Sequence, residues 1–394
     1  MKILAICNAI DLKLKQGCTP AWWQLLKGLH ELGCDVIVVP FLGRSVESLW
    51  WKSYENPYAL LTSLYLKHAG TFQAKNLTVI KKKEQTYKIE TLNKSWRKYV
   101  YRAISHKWKD YIVKILEIEK NVDYIVIFNI PLIVFRGLIN PIRDKFGVRI
   151  VFYDGDAPVS LPKYWSPLRN PFNIYFGANL SEFDGVIVNS KGVIPDLKEL
   201  GALKMEVIYW GVDPELYSPI NVEKGIDVFF YGHGKEFREK WIYNMITYPS
   251  KVLLNFKFMT GGKINMELGN TKSLGYIPIS VWRRFCCESK INLNITRKHH
   301  AEVFASSTSR IFELASLGCC TVSNPINGLE EWFKAGEEIF VAKDPQEAVE
   351  LYQWLLSSDD ILLKTGSLAR QRALKEHTFR HRAQQMIRFL RSLA

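Results

Sequence analysis

The chain has 394 residues, 47% hydrophobic and 23% charged, which excludes disorder, collagen and low complexity for the whole chain and suits two domains, or three, at about 100–200 residues each. Lys and Arg number 53 against 39 Asp and Glu, a formal charge of +14; the excess does not decide fold, but it favours an anionic partner such as a phosphate-bearing ligand, nucleic acid or an acidic membrane surface. Seven cysteines, none in a C-x-x-C pair and four of them in the adjacent pairs Cys286–Cys287 and Cys319–Cys320, fit no metal-site spacing and read as buried thiols in a reducing cytosol.

The first residues, Met1 to Asn8, carry one Lys, a short apolar run and no small-residue cleavage site, and read as a buried strand rather than a signal peptide. A strand at 3–7, a loop with Gly17 and Pro20, a helix over about 21–32, a stop at Gly33 and a strand at 36–40 predict a βαβ unit and hence a parallel sheet. Residues 44–120 are less regular. From Lys75 to Lys120 there are 13 Lys and Arg against 5 Asp and Glu. Within it Trp96, Val100, Ile104, Trp108, Ile112, Ile115 and Leu116 recur at helical spacing, with Arg97, Lys98, Arg102, Lys109 and Lys114 largely on other faces. That pattern is either a core-packed helix with a solvated basic face or a basic face for anionic lipid or an anionic acceptor.

Further strands are predicted at 124–128, 149–153, 185–189 and 206–209. The pattern breaks near Tyr217-Ser218-Pro219-Ile220. A second series follows at 227–231, 252–259, 291–295 and 320–323. The expected organisation is α/β: a first Rossmann-like domain over 1–219 with the basic insertion at about 44–120, a second over 220–378, and a helix over 379–394 packing back on the first. Two such doubly wound halves face a cleft, and ligands bind outside the carboxyl ends of the strands. No run of 18 apolar residues predicts a membrane span.

Residues 306–325, SSTSRIFELASLGCCTVSNP, carry the most chemistry. Ser307 to Ser309 are placed to cap a helix that Gly318 ends. A helix N-terminus presents free N–H groups and a positive dipole end to an anion. Arg310 in the first turn opposes that dipole unless an anionic ligand compensates it. Glu313, one turn on, is placed either to accept ribose hydroxyls or to pair with Arg310 on the surface. Gly232 and Gly234, with Lys235 and Arg238, follow the strand at 227–231, where glycines let backbone approach a phosphate and cations neutralise it; a plain turn with surface cations is the alternative. Arg297 lies in Thr296-Arg-Lys-His-His300, a cationic run after another strand, and its adjacent histidines diverge too far to share a metal. Asp154 and Asp156 follow the strand at 149–153. They are candidates for taking an acceptor hydroxyl proton, with an Asx turn before Pro158 as the alternative.

The 306–325 stretch resembles the donor-binding helix of retaining, group-1 GT-B glycosyltransferases, and within them the CgeB-like branch. Three other segments support the likeness in the right order: Phe183 to Ser190 with Gly211-Val-Asp213 to Pro219; Leu274-Gly275 to Pro278 with the strand at 291–295; and Lys375 to Arg382. The likeness covers 120–394 well, 1–40 weakly, and 44–120 not at all. It implies a GT-B fold and transfer of a sugar, with retention, from a nucleoside-diphosphate sugar to an acceptor hydroxyl. It also implies a UDP-sugar as co-substrate, no cofactor and no required metal. Donor contacts would come from Glu313, Arg310, Ser309, Ser307, Arg297, Lys235, Arg238, Gly232, Gly234 and Gly17, with Asp154 and Asp156 as the catalytic pair. One departure stands out. The broad family has a Glu eight positions before the one matched by Glu313, and here that position is Ala305. The implied acceptors are a glycan, a lipid-linked glycan or nucleic acid, and the implied location is the cytoplasm or the inner membrane face. The rival readings are an inactive GT-B-like binding protein and a nucleotide-sugar epimerase.

Overall fold

The computed structural model describes residues 1–13, 20–62, 95–164, 174–175, 179–234 and 237–394, without the side chains of 95–102. The chain forms two compact units: residues 1–188, 193–208 and 383–394 in one, and residues 189–192 and 209–382 in the other.

In the first unit β1 (Lys2–Ala9), β2 (Asp35–Leu42), β3 (Lys52–Ser53), β4 (Tyr124–Phe128), β5 (Arg149–Asp154), β6 (Gly185–Val188) and β7 (Met205–Val207) form one sheet in the order β3-β2-β1-β4-β5-β6-β7. All its pairings are parallel. Order reverses between β1 and β4, where Ile3 pairs with both Val36 and Tyr124. Strands buried on both faces read as unbroken apolar runs, and that is why β1 and β4 were visible in sequence. Helix α1 (Pro20–Glu31) buries Trp22, Leu25, Leu26 and Leu29, one stripe at i, i+3, i+4 and i+7. Each such side chain stabilises the fold by about 1.5–3 kcal/mol.

The basic insertion contributes α2 (Ser95–Glu119). Ile104, Trp108, Ile112, Ile115 and Leu116 are buried, and the Trp108 ring lies 5.3 Å from that of Phe41. Trp96, Arg97, Lys98, Val100 and Arg102 lie outside the described side chains. The described outer face mixes Lys107 and Lys114 with Asp110 and Glu117, and Glu117 pairs with Lys145 at 2.7 Å. From residue 103 on it is a core-packed helix with a solvated face of both signs. At its end Glu119 accepts Lys2 at 2.9 Å, Lys52 at 2.6 Å and the Tyr54 hydroxyl. Burial works the other way, yet these partners hold its carboxyl at about 2, so one carboxylate ties β1, the short edge strand β3 and α2 together.

The second unit has β8 (Ile226–Tyr231), β9 (Phe258–Gly261), β10 (Lys272–Ser273), β11 (Ser289–Asn294), β12 (Cys320–Ser323) and β13 (Phe340–Val341), in the order β10-β9-β8-β11-β12-β13, all parallel. Its order reverses between β8 and β11. The strand expected at 252–259 is shorter: Val252 ends a short helix and Leu253 closes its turn by donating to the Pro249 carbonyl at 2.8 Å, so β9 starts only at Phe258. Among the described residues no helix is long and apolar enough to cross a membrane.

The division falls after Ile208 rather than near 220. The segment after Ile208 is held within the second unit. Trp210 N–H donates to Ser307 Oγ at 2.9 Å, Val212 pairs with Thr378, and the Arg382 Nε–H donates to the Trp210 carbonyl at 3.1 Å. Arg382 also donates to His377 Nδ1 at 2.8 Å, and the opposite His377 nitrogen meets the Trp332 carbonyl at 3.0 Å. Helix α12 (Phe379–Arg391) thus starts in the second unit, and its residues from 383 belong to the first. The two sequence motifs around Gly211 and His377 are one structural feature, since a Cβ on Gly211 would stand 2.8 Å from the His377 carbonyl oxygen.

Helix α11 (Asp359–Glu376) packs on the turn at Gly318 so closely that a Cβ on Gly366 would stand 2.0 Å from the Gly318 oxygen. Gly366→Ala is therefore expected to destabilise the second unit by about 2–4 kcal/mol in urea unfolding. Gly225→Ala, with nothing within 4 Å of its new Cβ, stays within about 0.5 kcal/mol of the parent.

Candidate functional site

The carboxyl end of β11 in the second unit gathers the charged candidates. The Ile295 carbonyl accepts Arg238 Nε–H at 3.2 Å and Arg310 Nη1–H at 3.3 Å. Arg297, two residues on, adds a third guanidinium and disfavours the charge on Arg310. Arg310 opens helix α9 (Ser309–Ser316), and its guanidinium lies 5.2 Å over the Phe230 ring. Burial is the largest influence on it and pulls its pKa down, with Glu313 the first influence opposing that. His300, behind Arg297, is buried; burial and the charges of Arg297 and Arg238 drive its pKa well below the ordinary value, so it adds no fourth cation. His300 Nδ1 has no hydrogen-bond partner among the described residues.

Glu313 lies one turn along α9 from Arg310. Burial pushes its carboxyl up to about 6, while Arg310 and hydrogen bonds from the Tyr217 hydroxyl and Ser309 pull the other way. It is an inward-facing, desolvated acceptor rather than a surface ion pair.

Glycines bring the surrounding loops together. A Cβ on Gly232 would stand 2.6 Å from the Phe230 ring and 3.2 Å from Arg310 Nη2. Gly262, at φ +101°, has its Cβ position 2.0 Å from the Gly232 oxygen, and a Cβ on Gly234 would meet Ile264 at 2.8 Å. The loop after β8 thus packs backbone to backbone on the loop after β9, and Gly232 also opens the space at Arg310.

The serine cap is different from the one expected. The residue before α9 is Thr308, and its side chain makes no capping hydrogen bond. Ser309 is the first helical residue and turns to Glu313. Ser307 is buried: its hydroxyl donates to the Asn189 carbonyl at 3.0 Å and accepts from Trp210 N–H. Ser306 pairs with Ser190, and Asn189 Nδ2–H donates to the Ser307 carbonyl at 2.9 Å. Residues 304–307 therefore form a ladder with 189–192, and the Ser307 hydroxyl is engaged within it. Ala305 is buried in that ladder at φ +47°.

Asp154 belongs to the first unit and is buried. It accepts from the hydroxyls of Ser160 and of Tyr175, the latter at 2.7 Å, and from Asp156 N–H at 2.9 Å. Burial outweighs these bonds and raises its carboxyl to about 6. This is the Asx-turn arrangement: Asp154 shapes the loop, and Asp156 is the partly exposed member of the pair. Gly17 and Lys235 lie outside the described residues. Among the described residues no three His, Cys, Asp or Glu side chains are grouped to hold a metal ion. The residues that sequence reasoning missed are Tyr217, which reaches Glu313 from the motif before the second sheet, and Gly262, whose partner Gly232 is 30 positions away. The Gly261-Gly262 pair at a strand end was the available signal.

A family model described as Glycosyl transferase-like matches residues 224–388. No curated protein matches the chain. Solved structures align over its full length: sucrose-phosphate synthase from Thermosynechococcus elongatus, with TM-score 0.67, 14% identity and 98% of that chain covered; a glycosyltransferase from Rickettsia africae, with TM-score 0.59, 14% identity and 98% covered; and HepE from Anabaena in complex with UDP-glucose, with TM-score 0.59, 14% identity and 100% covered. At that identity the likeness is one of fold, and the architecture is GT-B.

The raised carboxyl of Glu313 has a stability consequence. Its folded pKa of about 6 exceeds the ordinary 4.5, so the folded state holds the proton more tightly and stability falls as pH rises from about 4.5 through 6. Glu313→Gln removes the half-buried charge and is expected to raise stability by about 1–2 kcal/mol at pH 7, and by little at pH 4, in urea unfolding.

Proposed function

We propose that this protein is a glycosyltransferase that moves a sugar from a nucleoside-diphosphate sugar, a UDP-sugar in the first instance, to the hydroxyl of a glycan acceptor. One observation carries the reading: two guanidinium groups meet on the Ile295 carbonyl with Arg297 beside them, at the carboxyl end of a central strand where doubly wound sheets bind ligands. Three guanidinium groups gathered at one strand end suit a compact polyanion, and a diphosphate fits that charge. Glu313, ionised above about pH 6, would accept ribose hydroxyls. The family match over 224–388 supports the assignment.

Such a transfer asks little side-chain chemistry of the protein. The developing charge is on the departing diphosphate, and preorganised Arg238, Arg297 and Arg310 stabilise it there. Glycines 232 and 234 let backbone come near the phosphates. The resemblance to the group-1 enzymes, and to their CgeB-like branch, points to retention, with the acceptor held on the face the leaving group vacates. Among the two aspartates Asp156 is our candidate for the acceptor proton, with Asp154 positioning its loop. Ala305 is buried, so the sugar is not read through a carboxylate at that place. The reading calls for no cofactor and no metal.

A thermal-shift series with UDP, GDP, ADP, CDP and dTDP and their sugars tests this: one nucleotide is expected to raise the melting temperature by mass action, and its sugar to be consumed only with an acceptor. Arg238→Ala should weaken that nucleotide at least ~10-fold, and affinity should fall as pH drops below about 6, where Glu313 takes up a proton. No shift with any nucleotide would leave a binding protein of another kind, and consumption without acceptor would indicate an isomerase.

A further inference from the structure

The exposed cations of the first unit are not all alike. Lys145 meets Glu117 at 2.7 Å, and Arg149 meets Asp184 at 3.2 Å. Lys198, Lys204, Arg388 and Arg391 are exposed and form no ion pair with any described residue. Three of them gather at one corner. Met386, Phe389, Leu390 and Leu393 bury one side of the last turns of α12, which leaves Gln384, Arg388 and Arg391, at i, i+4 and i+7, on the other. Lys204 Nζ–H donates to the Ser392 carbonyl at 3.4 Å, which brings the start of β7 to the end of that helix. No Asp or Glu follows Glu376 in the chain. The nearest acids along these segments are Glu199, which ends the short helix Ile194–Glu199, and half-buried Glu206, which lies within electrostatic reach of Arg388.

Next to Lys204 stands Leu203, 75% exposed. The turn that presents it is firmly built. Gly201 N–H donates to the Lys198 carbonyl at 2.9 Å, Ala202 N–H to the Leu197 carbonyl at 3.0 Å, and Val186 N–H to the Lys204 carbonyl at 2.9 Å. Gly201 takes φ +94°, which an L side chain rarely adopts. A leucine held out beside unpaired cations suits a lipid surface. The aliphatic side chain enters the boundary between headgroups and acyl chains, and the cations stay among anionic headgroups. A nucleic acid would use the cations and leave Leu203 in water; an anionic bilayer accounts for both observations.

We propose that this corner of the first unit docks on an anionic bilayer surface, with Leu203 in the boundary and Lys204, Arg388 and Arg391 on headgroup phosphates. The proposal goes beyond the donor-site reading and does not rest on it. Arg391 is also within electrostatic reach of Cys34, just before β2, and of Tyr124, the first residue of β4. The face therefore lies at the amino ends of the parallel strands. Their carboxyl ends, where the Asp154–Asp156 loop follows β5, point away from the bilayer.

Flotation of the full chain with phosphatidylcholine vesicles, with and without about one-third phosphatidylglycerol, tests it. The parent is expected to float with the anionic vesicles only, and to be released as NaCl rises from ~0.05 M to ~0.5 M. Lys204→Ala, Arg388→Ala and Arg391→Ala together should lose about 100-fold in partitioning, about 5-fold for each cation. Leu203→Ser alone should lose about 5-fold. A control triple, Lys145→Ala, Lys251→Ala and Lys334→Ala, removes the same charge from ion-paired sites and should float like the parent. All these positions are exposed, and unaltered melting temperatures check that the variants fold. The proposal is overturned if the parent ignores anionic vesicles at low salt, or if the control triple loses as much as the corner triple. It is equally overturned if the corner triple weakens binding of a DNA or RNA oligonucleotide and leaves flotation unchanged.

Discussion

The second unit is organised around a single backbone carbonyl. Ile295 directly follows β11, the strand beside the point where sheet order reverses, and its oxygen takes hydrogen bonds from Arg238 and Arg310. Those two side chains come from opposite sides in sequence, one after β8 and one from the start of α9. Their convergence fixes where the loop after β8 can lie, and that in turn requires Gly232 next to Arg310 and Gly262 against Gly232. Partly burying guanidinium groups near a third cation is unfavourable by charge repulsion. Glu313 offsets part of that repulsion at the expense of its own desolvation.

Much of this was legible in the sequence, for identifiable reasons. β4 and β12 were read to the residue, because strands covered on both faces are continuous apolar runs between turn residues. The edge strands β3, β10 and β13 are two residues each and carry no pattern. Val252 was read as strand because an apolar run does not say whether it begins in a helix. The placement of α2 was legible because Ile104, Trp108, Ile112 and Ile115 repeat along one face.

The site was legible in part. Arg310 and Glu313 stand three positions apart on one helix, so their proximity needed no tertiary knowledge. The partners of Ser307, Asn189 and Trp210, are 118 and 97 positions away, and a serine at a helix start looks the same in sequence whether or not it is tied to a neighbouring ladder. Asp154 and Asp156 are alike in sequence; only Ser160 and Tyr175 closing over Asp154 separate the loop anchor from its exposed neighbour. Gly232 and Gly234 were read as room for a phosphate. Much of the demand for them comes from the backbone of 262–264, a contact between loops that no local motif encodes.

The chain's path also constrains how it is born. The first unit comprises residues up to 208 and then 383–394, and the late residues are part of its core. A Cβ on Gly185 in β6 would stand 2.7 Å from the Phe389 ring, and Leu390 and Leu393 are buried there too. During synthesis the seven strands of that unit emerge long before the segment that covers β6 and must wait while all of 209–382 is translated. At about 5–20 residues per second that interval is roughly 10–35 s. Vectorial folding, in which each unit is finished as it leaves the ribosome, is closed to this protein: the unit that starts first is completed last, and its exposed β6 face is the surface a chaperone would have to shield in the meantime.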